Sequence, residues 1–258
     1  MDMGTKIKAW LKKFKIKNYT INNDLTIDVE GNVDLYKYGE EQLPEYIQFG
    51  KVTGDFVLYE CRKLNILRGC PQEVGGDFDC CQCPELESLE GAPQEVGGGF
   101  ICRVCSKLES LEGAPQEVDG DFDCRDCENL KSLKGAPKHV GGYFDCGECL
   151  KLESLEGAPQ YVGGGFHCDN CPKLESLEYA PQKVVGVFNC GYCSKLESLR
   201  GASKYVGADF YCSGCENLKS LEGVPKEVGG SFYCYSCGVQ FTEEDVKKVC
   251  KVKGRIKV

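Results

Sequence analysis

Val162-Gly163-Gly164-Gly165-Phe166-His167-Cys168-Asp169-Asn170-Cys171-Pro172-Lys173-Leu174-Glu175-Ser176-Leu177-Glu178-Tyr179-Ala180-Pro181 is one copy of a unit that repeats every 22 residues. Its Cys-x-x-Cys pair recurs at 80/83, 102/105, 124/127, 146/149, 168/171, 190/193, 212/215 and 234/237. No insertion or deletion interrupts the unit between Val74 and the last pair. A fixed period this short is the signature of a solenoid. One unit cannot bury an apolar face by itself and must lean on its neighbours, so the 258 residues read as one elongated domain.

Alternation assigns the faces of each coil. In Gly-x-Phe-x-Cys-x-x-Cys, the Phe and the first Cys are two apart and point inward, and the residues between them point outward. Leu-x-x-Leu (Leu86/Leu89 through Leu218/Leu221) is the next inward pair. Gly-Ala-Pro-x-x-Val then returns the chain in extended form, with Pro fixing its backbone angle. Phe, Cys, Cys, Leu, Leu, Pro and Val are the expected core columns. The coil at 52–73 tests this: Leu58 stands at the first Cys position, Cys61 at the second, and Cys70 where other coils have a small Ala (Ala92, Ala114, Ala136). The first Cys position is therefore a buried apolar slot.

The two ends leave the period. Ile7, Trp10, Leu11 and Phe14 lie at helical spacing within residues 4–16, with Lys on the opposite side. A basic amphipathic helix suits a membrane surface, but ahead of a repeat array it also suits a cap over the open apolar end, and the cap is the preferred reading. Strands are expected at 19–21, 25–29 and 33–35. Val33 and Leu35 precede Phe56 and Leu58 by 23 residues, so 31–53 reads as a degenerate first coil. At the other end Thr242 and Asp245 suggest a capped helix with Val246, Val249 and Cys250 facing the array, followed by a strand at 255–258. The expected divisions are an N-terminal cap at 1–51, the repeat array at 52–237 and a C-terminal cap at 238–258.

The net charge of −9 is uneven: residues 1–18 carry +5, residues 243–258 carry +3, and the 224 residues between them hold −17. A body that acidic repels nucleic acid phosphates. No apolar run reaches the ~20 residues that span a bilayer, and the N-terminus lacks a signal-peptide core, which leads to the expectation of a cytoplasmic monomer that binds neither nucleic acid nor membrane. A reducing compartment favours free thiols or metal ligands for the 20 Cys and leaves disulfides as the third alternative.

The unit resembles a leucine-rich repeat, whose outline is L-x-x-L-x-L-x-x-N/C-x-L. Phe166, Cys168 and Cys171 match its second Leu, third Leu and Asn/Cys positions. The phrase Ser-Leu-Glu-Gly-Ala-Pro-Gln-Glu-Val-Gly-Gly (Ser88 to Gly98) is similar to short repeat arrays of bacterial and tailed-bacteriophage proteins, as are the flanks at 16–21 and 241–246. Two spacings depart from the outline: Val162 is four before Phe166, and Leu174 is three after Cys171. The resemblance implies a β-rich solenoid with a parallel sheet on the concave face, extended legs on the convex back and helical caps at both ends.

Two readings of function follow. In the first, the outward strand positions, which vary while the core columns stay constant, form a protein-binding surface for a partner the sequence does not name. Its candidate residues are Asp79, Arg103, Asp121, Asp123, Arg125, Asp145, His167, Tyr211, Tyr233 and Tyr235. Relaxed constraint at exposed positions would look the same. In the second, stacked Cys-x-x-Cys pairs bind zinc or another thiophilic metal, or do redox chemistry, through Cys80, Cys83, Cys102, Cys105, Cys124, Cys127, Cys146, Cys149, Cys168, Cys171, Cys190, Cys193, Cys212, Cys215, Cys234 and Cys237. Both columns coincide with positions a leucine-rich repeat buries, which favours packed thiols and no cofactor. No nucleophile–base pair, phosphate loop or carboxylate pair stands out, so an enzyme is not expected; an exposed Cys81 would be the one thiol placed to act alone.

Overall fold

Two short steps of each unit flank the glycine-containing corner, and both are extended. The x-Val step (Glu117–Val118, His139–Val140, Tyr161–Val162) pairs in parallel with its counterparts 22 residues away. The Phe-x step (Phe122–Asp123, Phe144–Asp145, Phe166–His167) does the same. The computed structural model, which describes residues 2–258, therefore has two long parallel sheets, a valine sheet of 12 strands and a phenylalanine sheet of 11. Among the described residues the one antiparallel pair is Tyr19–Ile21 with Ile27–Val29.

The Gly-Ala-Pro legs, expected to be extended, are also paired: each ends in a strand of the valine sheet. The cause is the constant period. Coils that stack in register at Phe also stack at Val, and extended neighbours ~4.8 Å apart form a ladder. The third side, Leu-x-x-Leu, carries no regular strand, and its coils are linked by scattered bonds such as Lys219 N–H to the Glu197 carbonyl at 3.0 Å and Leu199 N–H to the Glu222 carbonyl at 2.9 Å.

The inward columns are those expected. Phe78 through Phe232 are fully buried, as are both Cys columns through Cys215 and the paired Leu up to Leu218. From Phe56 to Phe232 successive rings lie 5.1–6.0 Å apart, centroid to centroid. Such ring pairs add about 0.5–1.5 kcal/mol each beyond their burial. Leu58 fills the first Cys slot with no exposure, and Cys70 fills the Ala slot.

One short helix stands at each end. α1 (Met3–Lys13) starts at Asp2, whose carboxylate accepts from Thr5 N–H at 3.0 Å. Its buried Trp10 packs edge-on against Phe49 and Tyr38, with centroids 6.2 and 6.3 Å apart. The 23-residue spacing of the first coil becomes a bulge: Ile27 pairs with Phe49, but Val29 pairs with Val52. At the other end, α2 (Glu243–Val249) is opened by a Thr242/Asp245 capping box. It does not follow the array but lies inside the last coil, from the second Leu position through the segment that elsewhere carries the Gly-Ala-Pro leg. After it, Lys251–Val252 joins the valine sheet and Ile256–Lys257 joins the phenylalanine sheet. Val246 and Cys250 are buried as expected, whereas Val249 is 50% exposed and faces away from the array. Val246 is the buried residue of α2, and Cys250 is already its extended C-cap, so the helix turns one residue inward and leaves Val249 outside.

Candidate partner-binding face

The outer face of the phenylalanine sheet holds all ten candidate residues, but it does not leave them equally free. The residue before each Phe is the first column. Asp77, Asp121 and Asp209 each turn a carboxylate oxygen onto the backbone N–H of the next coil, at Gly99, Tyr143 and Ser231, over 2.6–2.7 Å. The residue after each Phe is the second column. Asp79, Asp123, Asp145 and Asn189 accept from the N–H two residues on, at Cys81, Arg125, Gly147 and Gly191, over 2.8–3.1 Å. Asp and Asn are suited to this because their short side chains reach their own backbone and close a local turn. Of the acids read from the sequence as variable binding positions, Asp121 thus fastens one coil to the next, and Asp79, Asp123 and Asp145 close turns within their own coils.

The arginines are engaged as well. Arg125 forks onto Asp123 through Nε at 3.1 Å and Nη2 at 2.8 Å, and its Nε lies 3.4 Å from Asp145. Arg103 Nε donates to Cys81 Sγ at 3.2 Å. Cys81 is 1% exposed beneath it, which corrects the expectation of an open thiol. Burial raises the Cys81 pKa, and Arg103 acts against that rise. Burial also pushes Asp145 up to about 7 and lowers His167. The Nε2 of His167 is buried without a partner among the described residues, and its ring sits 5.8 Å from that of Tyr143.

The last coils differ. Tyr211 and Tyr233 stack face to face, 4.5 Å apart and 1° from parallel, half-exposed. Tyr211 donates to Asp209 at 3.1 Å, and burial together with that carboxylate pushes its phenol up to about 12. Lys257 Nζ lies 5.5 Å from the centre of the Tyr233 ring. Tyr235 is exposed next to this pair, its N–H bonded to Ser213 Oγ at 3.2 Å. Tyr192 lies over Gly214, a glycine with φ +73 where a Cβ would meet the Tyr192 ring. Tyr192 and Lys257 were missed in the sequence. Tyr192 occupies the second x of Cys-x-x-Cys, a column that alternation does not assign to the strand face, and Lys257 reaches the site only because the final strand joins this sheet.

The cysteine columns do separate chemistry. Each second-position thiol from Cys83 to Cys237 donates to the carbonyl 25 residues earlier, as in Cys127 to Cys102 and Cys193 to Cys168, over 3.1–3.4 Å. Burial pushes Cys146, Cys168 and Cys190 well above the ordinary thiol range, and Cys171, Cys212 and Cys215 up to about 12. The second-position thiols are S–H donors inside the coil, in the place where the repeat outline allows Asn or Cys. All twenty cysteines are free, and no group of three or more His, Cys, Asp or Glu side chains is gathered for a metal among the described residues. No helix among them is long and apolar enough to cross a membrane.

No protein-family model and no curated protein matches this sequence. Among solved structures, a leucine-rich repeat protein from Bacteroides ovatus is similar over 93% of this chain and 90% of its own, at 14% identity and a TM-score of 0.31. The repeat architecture itself rests on the strand register described above.

Proposed function

We propose that the chain is a repeat scaffold that binds a protein partner on the outer face of the phenylalanine sheet, centred on Tyr192, Tyr211, Tyr233 and Tyr235. The observation that carries this reading is a contrast along one face. The acids and arginines of the early coils are engaged by their own backbone and by each other. The tyrosines of the last coils are stacked, part-exposed and bonded through few of their polar atoms. Tyrosine offers large contact area at little entropic cost and is enriched at the centres of interfaces. The stacked Tyr211–Tyr233 pair is held flat by the sheet, so a partner does not have to order it.

A randomised peptide library selected on the wild-type chain tests this. Peptides so enriched should bind a Tyr211→Ala/Tyr233→Ala chain at least about thirtyfold more weakly, the roughly 2 kcal/mol of a hot spot. An Arg103→Ala chain should bind them within about twofold of wild type, since a contact outside the hot spot costs well under 1 kcal/mol. Equal binding by the tyrosine variant would overturn the reading.

A further inference from the structure

Nineteen of the twenty cysteines are buried, and the exception is Cys237, in the last Cys-x-x-Cys pair. Its sulfur lies 3.4 Å from that of Cys234 in a direct thiol–thiol hydrogen bond. The intervening Tyr235 and Ser236 are exposed, and Ser236 adopts the left-handed turn conformation (φ +57) that brings residues 234 and 237 to the same side. Two sulfurs at contact distance on one turn, one of them open to solvent, are placed to close to the ~2.05 Å of a disulfide. The buried pairs lack the entry: a reagent must reach one sulfur before the second can close.

We propose that Cys234 and Cys237 form a dithiol–disulfide site that exchanges with small-molecule disulfides, while the other seven Cys-x-x-Cys pairs stay reduced. The thiolate of Cys237 attacks one sulfur of the external disulfide, forming a mixed disulfide and releasing one small thiol. The sulfur of Cys234 then attacks that of Cys237, the protein disulfide forms, and the second small thiol leaves. Two protein thiols are oxidised, one external disulfide is reduced to two thiols, and each leaving thiolate takes up the proton given up by a cysteine. Closure removes the bond from the Cys237 thiol to the Cys212 carbonyl, at 3.3 Å, and leaves the carbonyl-bonded thiols of the other coils in place. The hydrogen bond with Cys234, followed by partial burial, holds the Cys237 thiol above its ordinary range, so exchange is slow at neutral pH and long incubation is needed. The proposal does not depend on the partner-binding reading.

Incubating the folded 258-residue chain with oxidised glutathione, followed by mass spectrometry of the intact protein and its peptides, tests this directly. The expected result is the loss of two hydrogens, mapped to the peptide that holds Cys234 and Cys237. A Cys234→Ser chain should instead retain a glutathione adduct on Cys237. Brief alkylation of the untreated wild-type chain provides a check that needs no variant: Cys237 should be labelled before any other cysteine. A chain that stays fully reduced, or a disulfide that maps first to another pair, would overturn the proposal.

Discussion

Asp145 shows how a single residue can bind the fold together and oppose it at the same time. Its carboxylate accepts from Gly147 N–H at 3.0 Å and lies 3.4 Å from Arg125 Nε, both of which favour the charge. Burial outweighs them and raises the group to about 7. The folded chain therefore holds this proton where the unfolded chain, with a carboxyl near ~3.9, has lost it. The proton count is higher in the folded state between pH of about 4 and 7, so stability falls as pH rises through that window. Asn189 occupies the same column two coils on and makes the same turn bond without a charge. Asp145→Asn should then flatten the fall between pH 4 and 7 and raise stability at pH 8, on the order of 1 kcal/mol, in denaturant titrations at several pH values.

At the scale of the element, two columns of each coil have positive φ, but they differ in what they tolerate. The second x of Cys-x-x-Cys is left-handed in every coil from Glu60 to Ser236, and it accepts Gln82, Val104, Glu148 and Tyr192 because the side chain points into open solvent. The glycine before Ala-Pro is different. Gly113 has φ +96, and a Cβ there would meet the backbone of Leu89 and Glu90 in the preceding coil. Gly135, Gly157 and Gly201 repeat the conflict, and only Tyr179, at φ +72, departs from glycine in this column. Gly113→Ala should cost more than the roughly 1 kcal/mol of left-handed strain, because the coil spacing must also open. Thermal unfolding of this variant beside Val104→Ala would separate the two columns, since Val104→Ala keeps the strain and adds no clash. The Asp ladder belongs to this scale too. A carboxylate that bonds the N–H of the next coil does the work of a strand residue while standing outside the sheet.

For the whole molecule, the coil is the unit of stability, and neighbours bind through Phe, Cys and Val columns in register. Removing residues 141–162 joins Val140 to Gly163, which restores the Val-Gly junction that most coils have. That shortened chain should fold, with a lower unfolding temperature. One Ala inserted between Phe144 and Asp145 should cost more than the loss of a whole coil. A one-residue slip would turn Cys146 from the core to the solvent face. The bulge between Ile27–Val29 and Phe49–Val52 shows where the chain does absorb an extra residue, at the first coil and not in the array. Comparing the melting of the two chains by circular dichroism would check both expectations. The Lys and Glu that pair across coils on the third side, such as Lys131 with Glu109 at 2.8 Å, are exposed and contribute little to this order.

The sequence by itself determined the coil. An unbroken 22-residue period, with Phe, Cys, Leu and Val at constant offsets, can only stack like on like, so the buried columns and the face of each strand were legible before any coordinates. It also marked Tyr211, Tyr233 and Tyr235 as neighbours, because they lie one period apart or on one strand. The tertiary structure alone decided the rest. The pairing of the valine steps into a second sheet depends on the distance between coils, which no single unit encodes. The engagement of Asp77, Asp121 and Asp209 depends on an N–H that lies in the next coil. The burial of Cys81 depends on Arg103 folding over it from 22 residues away, and the exposure of Cys237 on what packs against the last coil. A pattern along the chain fixes which way a side chain points, but what it meets there is set by its neighbours in space.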